Sequence, residues 1–295
     1  MFESISPQLL FGQLLLGLIN GAFYAMLSMG LAIIFGLMNV VNFTHGAQYM
    51  LGAFVAWLLL QHLGVPYWGA LVIAPVVVAA FGMVMERLVL RRLQNLDHLY
   101  GLLATYAVAL IVEGLISRNY GSTGLPYDNP IPSGINLGFM FLPYYRAWVV
   151  LFSLVVCIGT WIMIEHTKLG AYLRAANERP AIVEAFGINV PKMITLTYGF
   201  GVGLAALSGV LAAPIYQVSP SMGSSVLIVV FAVVVIGGMG SIAGAIATGY
   251  ILGVVEGLTK VFYPPAASVV IFLFMIVALF LRPSGLFAGR SEGAR

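Results

Sequence analysis

The chain has 295 residues, 61% of them hydrophobic and only 8% charged, whereas a soluble globular protein carries roughly a quarter charged residues. An apolar excess this large cannot be hidden in one core behind a charged shell, which excludes a water-soluble domain. Thirteen Lys and Arg face ten Asp and Glu, and no basic run is longer than Arg91-Arg92, which excludes a nucleic-acid-binding surface as well.

The class this predicts is an all-α polytopic membrane protein, built as a single transmembrane domain over residues 1–295. At roughly 20 residues per crossing plus connections, the length allows about eight to ten spans. The first apolar stretch lacks the basic start and small-residue cleavage site of a signal peptide and is expected to stay in the mature protein. The single cysteine, Cys157, lies in an apolar run, so neither a disulfide framework nor a Cys-based metal motif is expected.

In chain order, charges and breakers separate apolar segments at 9–38, 45–61, 66–86, 98–117, 147–165, 193–214, 225–236, 242–259 and 267–281. We expect about eight to nine membrane segments, with discontinuous or re-entrant stretches near 39–48 and 237–241. Basic residues give the orientation, because loops kept in the cytoplasm carry the Lys and Arg excess. Three groups (Arg87, Arg91 and Arg92; Lys168, Arg174, Arg179 and Lys192; Arg282, Arg290 and Arg295) fit one side, leaving Arg118, Arg146 and Lys260 on the other. The C-terminus is thereby expected inside. The N-terminus, with Glu3 and no basic residue before Arg87, is expected outside, an end that a re-entrant second segment would reverse.

The connection 119–145 contains Pro126, Pro130, Pro132 and Pro143 among Gly121, Gly124, Gly134 and Gly138, so it reads as a turn-rich external loop with a strand or short helix. The connection 166–192 is different. Leu169, Tyr172, Leu173, Ala176, Ile182, Val183 and Phe186 alternate at helical spacing with Arg174, Glu178, Arg179 and Glu184, interrupted by Pro180 and ended by Gly187 and Pro191. This predicts short amphipathic helices outside the bilayer.

Small residues at every fourth position mark close helix contacts: Gly17, Gly21 and Ala25; Gly199 and Gly203; Ala245, Gly249, Gly253 and Gly257. Packing within the chain is the plain reading, and a subunit contact or substrate path is the alternative. Gly237-Gly238-Met239-Gly240-Ser241 breaks the late apolar stretch, and backbone freed there must line a turn, a cavity or protein. A short internal likeness links Gly46-Ala47 and Tyr49-Met50-Leu51-Gly52 to Gly244-Ala245 and Tyr250-Ile251-Leu252-Gly253, as in transporters built from repeats.

No His-Glu-x-x-His, no Gly-x-Ser-x-Gly and no phosphate-binding loop ending in Lys-Ser/Thr is present, and neither is a carbonyl selectivity filter or an Arg-rich helix. Catalysis is not expected of this chain. Polar residues within spans remain as the functional candidates. Asn39, Asn42, His45 and Gln48 recur every third position; they either cap a helix and bond neighbouring helices, or line a path. Asn20 and Tyr24 are placed to face that group, and Glu113 and Glu256 lie near the outer ends of their helices, where a charged head reaches water. His62 and Trp68 read as interface residues.

At these residues a resemblance emerges. Asn42-Phe43-Thr44-His45-Gly46-Ala47, Gly170-Ala171-Tyr172-Leu173-Arg174-Ala175-Ala176 with Ala185-Phe186-Gly187-Ile188, and Val235-Ile236-Gly237-Gly238-Met239-Gly240-Ser241 resemble the LivH-type permeases of branched-chain amino acid ABC importers. The resemblance covers nearly the whole chain. It implies a bacterial inner-membrane subunit paired with a LivM-type permease, two cytoplasmic ATPases and a periplasmic substrate-binding protein, with ATP used by the partners and no cofactor or metal held here. It implies that 170–192 couples to an ATPase through Arg174, Glu178, Arg179 and Glu184 as polar contacts and Ala175, Ala176, Ala185, Phe186 and Gly187 as docking surface. Asn42, His45 and Gln48, with Tyr24 and Glu256 behind them, are its implied path residues. Similar permeases carry urea, short amides or aromatic acids, so those substrates stay open. An ion-coupled secondary transporter is the rival from another class, and it would need acidic residues near the midplane.

Overall fold

The computed structural model describes residues 6–38, 41–93, 96–138 and 141–287. Asn39, Glu3, Arg290 and Arg295 lie outside the described residues. Twelve α-helices and one short hairpin are present among them: α1 (Pro7–Met38), α2 (Thr44–Leu63), α3 (Tyr67–Met85), α4 (Arg91–Leu93), α5 (His98–Tyr120), β1 (Gly134–Asn136), β2 (Phe141–Pro143), α6 (Tyr144–Glu165), α7 (Lys168–Glu178), α8 (Pro180–Ala185), α9 (Val190–Tyr216), α10 (Met222–Gly237), α11 (Ile242–Phe262) and α12 (Val270–Leu281). A π turn, Glu86–Leu90, joins α3 to α4.

Among the described residues, six stretches are long and apolar enough to cross a membrane: Pro7–Gly36, Tyr67–Leu93, His98–Tyr120, Tyr144–Glu165, Val190–Tyr216 and Ile242–Phe262. α10 and α12 are apolar but shorter. α2 has 20 residues, the length of a span, but its apolarity is diluted by His45, Gln48, Gln61 and His62. The helix breaks fall where the glycines and polar residues predict them, before Thr44 and between Gly237 and Ile242. The predicted strand in 119–145 is the antiparallel β1–β2 pair, with Ile135 opposite Leu142.

The chain folds into two compact units that interleave along the sequence. The first comprises the described parts of Met1–Met29, Asn129–Gly159 and Val229–Arg295; the second comprises those of Gly30–Asp128 and Thr160–Ile228. In the first, α1 and α11 meet backbone to backbone along the predicted glycine stripes. A Cβ on Gly21 would lie 3.0 Å from the Tyr250 Cα, and one on Gly17 would lie 2.5 Å from the Gly253 carbonyl oxygen. In a bilayer such contacts matter because lipid is as apolar as leucine, so association comes from close packing rather than from expulsion of water. The Ser28 hydroxyl donates to the Ala245 carbonyl at 3.2 Å, and Ser153 donates to the Ala22 carbonyl at 3.1 Å. Ala232, Val233, Ile236, Leu252, Ile271 and Ala278 form the apolar core of this unit.

The second unit is organised around α9, which packs against both α2 and α3. Gly52 of α2 lies on the Ala206 backbone, Gly209 of α9 on the Tyr49 backbone, and Gly82 of α3 receives Val202. Its core runs through Ile34, Val78, Met85, Tyr198, Val202 and Ala206. Beyond α5, Leu125 bridges Val218 in antiparallel fashion. Tyr127 is buried there, and burial, with Tyr67 and Asp128 adding, pushes its phenol up to about 12.

Candidate functional site

Three polar groups are candidates. The first is buried in the second unit. Asn42 folds its side-chain carbonyl back to accept from the Thr44 N–H at 3.0 Å, an Asx-type turn that starts α2. Its amide donates to the Tyr198 hydroxyl at 3.0 Å and to Gln48 Oε1 at 3.4 Å. The Gln48 amide donates to the same hydroxyl at 3.3 Å. Thr44 donates to the Thr105 carbonyl at 2.8 Å, and Thr105 Oγ1 accepts from the Phe43 N–H at 3.2 Å. Asn42, Thr44, His45, Gln48 and Tyr198 are all at most 1% exposed. Buried polar atoms in such surroundings need partners, and here most find them on neighbouring helices. Of the predicted set, Asn42 and Gln48 are therefore brought together, and Tyr198 is the common acceptor that sequence reasoning does not single out.

One α-helical turn from Tyr198, Thr195 connects to a second group that sequence reasoning also misses. Thr195 Oγ1 donates to Glu86 Oε2 at 2.7 Å, and Arg91 spans Glu86 at 3.3 Å, Thr195 at 2.6 Å and the Pro191 carbonyl at 3.0 Å. The Glu86 side chain is fully buried while Arg91 keeps 37% of its side-chain surface exposed. A buried carboxylate is tolerated only when paired. The signal lay in the spacing. Residues 86 and 91 are five apart, which points away from one face in an α-helix but matches the i to i+5 period of the π turn that starts at Glu86 and is capped by Arg91.

The third group lies in the first unit. The Tyr24 hydroxyl donates to Glu256 Oε2 at 2.8 Å and Lys260 Nζ contacts Oε1 at 2.6 Å. The sequence places Tyr24 facing the Asn42 group; in the structure its hydrogen bond runs to Glu256, within the unit that contains neither Asn42 nor Gln48. Among the described residues no group of three or more His, Cys, Asp or Glu is placed to hold a metal ion.

The connection 166–192 forms the expected pair of short helices, α7 and α8. Gly170 permits the corner after α6, because any Cβ there would collide with the Ile164 carbonyl. Pro180 starts α8 at a position where its missing N–H costs no hydrogen bond, and Gly187 takes φ +81, in the left-handed region that favours glycine. Arg174, Ala175, Glu178, Arg179, Glu184, Ala185, Phe186 and Gly187 are exposed. Ala176 is the exception. At 6% exposure it packs inward with Val183 and Val190, fastening α7 and α8 to the start of α9. Arg174 pairs with Glu165 at 2.8 Å, but both are more than half exposed, so the pair adds little. The outward face carries Leu169, Tyr172, Ile182 and, at 81% exposure, Phe186.

Apolar helices of spanning length, glycine seams between them and polar side chains satisfied inside define a multi-pass α-helical membrane protein. The sequence matches, over residues 13–279, the family described as branched-chain amino acid transport system / permease component. It is 30% identical to the high-affinity branched-chain amino acid transport system permease protein BraD of Pseudomonas aeruginosa, over 95% of this chain and 96% of that one. It is 28% identical, over the same shares, to the LivH permease protein of Escherichia coli. A probable LivH permease of Methanocaldococcus jannaschii is 28% identical over 88% of this chain and 87% of that one. The chain belongs to this branched-chain amino acid permease family.

Proposed function

We propose that the chain is the membrane permease of an ATP-driven importer that moves branched-chain amino acids into the cytoplasm. It works beside a second, LivM-like permease, two cytoplasmic ATPases and a periplasmic binding protein, in a bacterial inner membrane, with its C-terminus in the cytoplasm. Membership of the permease family supports the transported class. The observation that carries the mechanism is the helical pair α7–α8. It exposes Tyr172, Ile182 and Phe186 together with Arg174, Glu178, Arg179 and Glu184 on a connection between two spanning helices. An apolar face rimmed by charges suits a protein partner. Closure of the ATPases pulls this pair, and the inward side chains Ala176 and Val183 pass the movement to Val190 at the foot of α9. Along α9, Thr195 and Tyr198 hold Glu86, Asn42 and Gln48, so the same displacement reaches the buried polar group and alternates access past it.

The test is reconstitution of the permeases and ATPases in proteoliposomes with the cognate binding protein. ATP-driven uptake of L-leucine is the expected result, and ATP-independent, ion-driven uptake would refute the reading. Gly187→Trp sharpens it. A Cβ there meets nothing within 4 Å, so the change acts through the backbone, at roughly 1–2 kcal/mol for a left-handed non-glycine residue. The variant is expected to insert and assemble, to hydrolyse ATP, and to lose uptake at least tenfold.

A further inference from the structure

A cavity of about 220 Å³ opens at the junction of the π turn, the start of α5, the α7–α8 corner and the foot of α9, all within the second unit. Leu90, Leu93 and Ile194 supply apolar wall; Asp97, His98 and Asn177 supply polar lining. The volume falls below the about 300–1,000 Å³ of sites for drug-sized ligands, which leaves room for a small metabolite and too little for a nucleotide.

We propose that this cavity is a binding site for a small aliphatic α-amino acid, separate from the buried polar group around Tyr198. The choice of amino acid rests on the proposed function; the chemistry of the lining supports it independently. Asp97 Oδ1 accepts from the Leu99 N–H at 2.9 Å as the cap of α5, and its other carboxylate oxygen offers an acceptor to an ammonium group. The Asn177 amide and the His98 ring offer donors to a carboxylate. The branched side chain rests on Leu90, Leu93 and Ile194. A zwitterion sets its ammonium on the Asp97 carboxylate and its carboxylate on the Asn177 and His98 donors at once. A fatty acid would meet Asp97 with like charge, and a simple alkylamine would leave the Asn177 and His98 donors unused. Because Asn177 lies in α7 and Asp97 caps α5, a bound amino acid ties the α7–α8 pair to the start of α5.

The test is saturable binding of tritiated L-leucine to the full-length permease, purified with its partners, without binding protein or ATP. Asp97→Asn keeps a good helix cap while removing the charge, and is expected to weaken binding at least tenfold with no loss of thermal stability. Leu93→Trp fills the cavity and is expected to abolish binding. On the wild-type protein, 4-methylpentanoate and isopentylamine are each expected to compete at least tenfold less well than leucine, an outcome that needs no variant to fold. Absence of saturable leucine binding would overturn the proposal, as would binding that both variants leave unchanged. ATP-driven uptake measured on the same preparations separates the two readings. Uptake without Asp97-dependent binding removes the cavity alone, and Asp97-dependent binding without ATP-driven uptake removes the importer alone.

Discussion

The two compact units solve the problem of holding helices together in lipid by different means. In the first, α1 and α11 approach until glycine lies on glycine, with Gly17 and Gly21 against Gly249, Gly253 and Gly257. A side-chain hydrogen bond, Ser28 to the Ala245 carbonyl, supplements that seam. In the second, close approaches at Gly52 and Gly209 are accompanied by two hydrogen-bonded groups one helical turn apart on α9, Arg91 and Glu86 on Thr195, and Asn42 and Gln48 on Tyr198. A seam of shape tolerates no added atom, and the one carboxylate on it, Glu256, is held by Tyr24 and Lys260. A seam of charge tolerates small steric changes but fails when one partner is removed. Both kinds meet in the unit that bears the helical pair α7–α8, where Gly52 and Gly209 lock α2 to α9 and the hydrogen bonds of Thr195 and Tyr198 tie α9 to its neighbours.

The largest effects should come from breaking each seam on its own terms. Gly253→Leu places a side chain onto the Gly21 backbone and the Gly17 carbonyl. Overpacking a rigid site typically costs about 1–3 kcal/mol and more where nothing can move. No monodisperse protein is expected in detergent by fluorescence-detected size exclusion; a well-behaved peak would show that α1 and α11 are not locked. Next comes Arg91→Ala, which strands a fully buried carboxylate. Leaving a buried acceptor short of a partner costs about 1–3 kcal/mol, and the loss is held to that range because Arg91 is itself 37% exposed and Thr195 still donates to Glu86. Glu86→Gln should cost less, because Arg91 reaches water and the amide oxygen of the substituted side chain still accepts from Thr195. Thermal unfolding in detergent should rank the two in that order, and the reverse order would mean that Glu86 is solvated in the working protein.

The same contrast explains what was legible in the sequence. Glycine spacing along α1 and α11 is a direct record of backbone contact, so the stripe at residues 245, 249, 253 and 257 announced a seam that the structure contains. Helix breaks were legible for the same reason, since Gly237-Gly238 and the polar stretch at Asn42 interrupt apolar runs. The pair α7–α8 was legible from amphipathic spacing. The buried network was only half legible. Asn42 and Gln48 stood out as polar residues in an apolar context, but their acceptor is contributed by a helix 150 or more residues away in sequence, and no local pattern marks which tyrosine turns inward. Glu86 was hidden at the end of a predicted span beside three arginines, where an exposed charge is ordinary; only the π turn carries it inside. Ala176 lies on the apolar stripe of the sequence, and the resemblance alone assigns it to the docking surface; its position on α7 turns it toward Val183 and Val190.

The finest test compares two tyrosines, one in each unit. Tyr198→Phe removes the hydroxyl that serves both Asn42 and Gln48, leaving two buried amides with fewer acceptors. Tyr24→Phe removes one donor from Glu256, which keeps Lys260 and retains 13% side-chain exposure. Interhelical hydrogen bonds in membranes average about 0.6 kcal/mol and reach about 1.7, so Tyr198→Phe belongs near the upper figure and Tyr24→Phe at or below the average. If the second unit is the moving one, Tyr198→Phe should also change leucine uptake by more than its stability loss accounts for, whereas Tyr24→Phe should lower stability slightly and leave uptake per folded complex unaltered. A larger uptake defect in Tyr24→Phe than in Tyr198→Phe would reverse the assignment and put the substrate path beside Glu256.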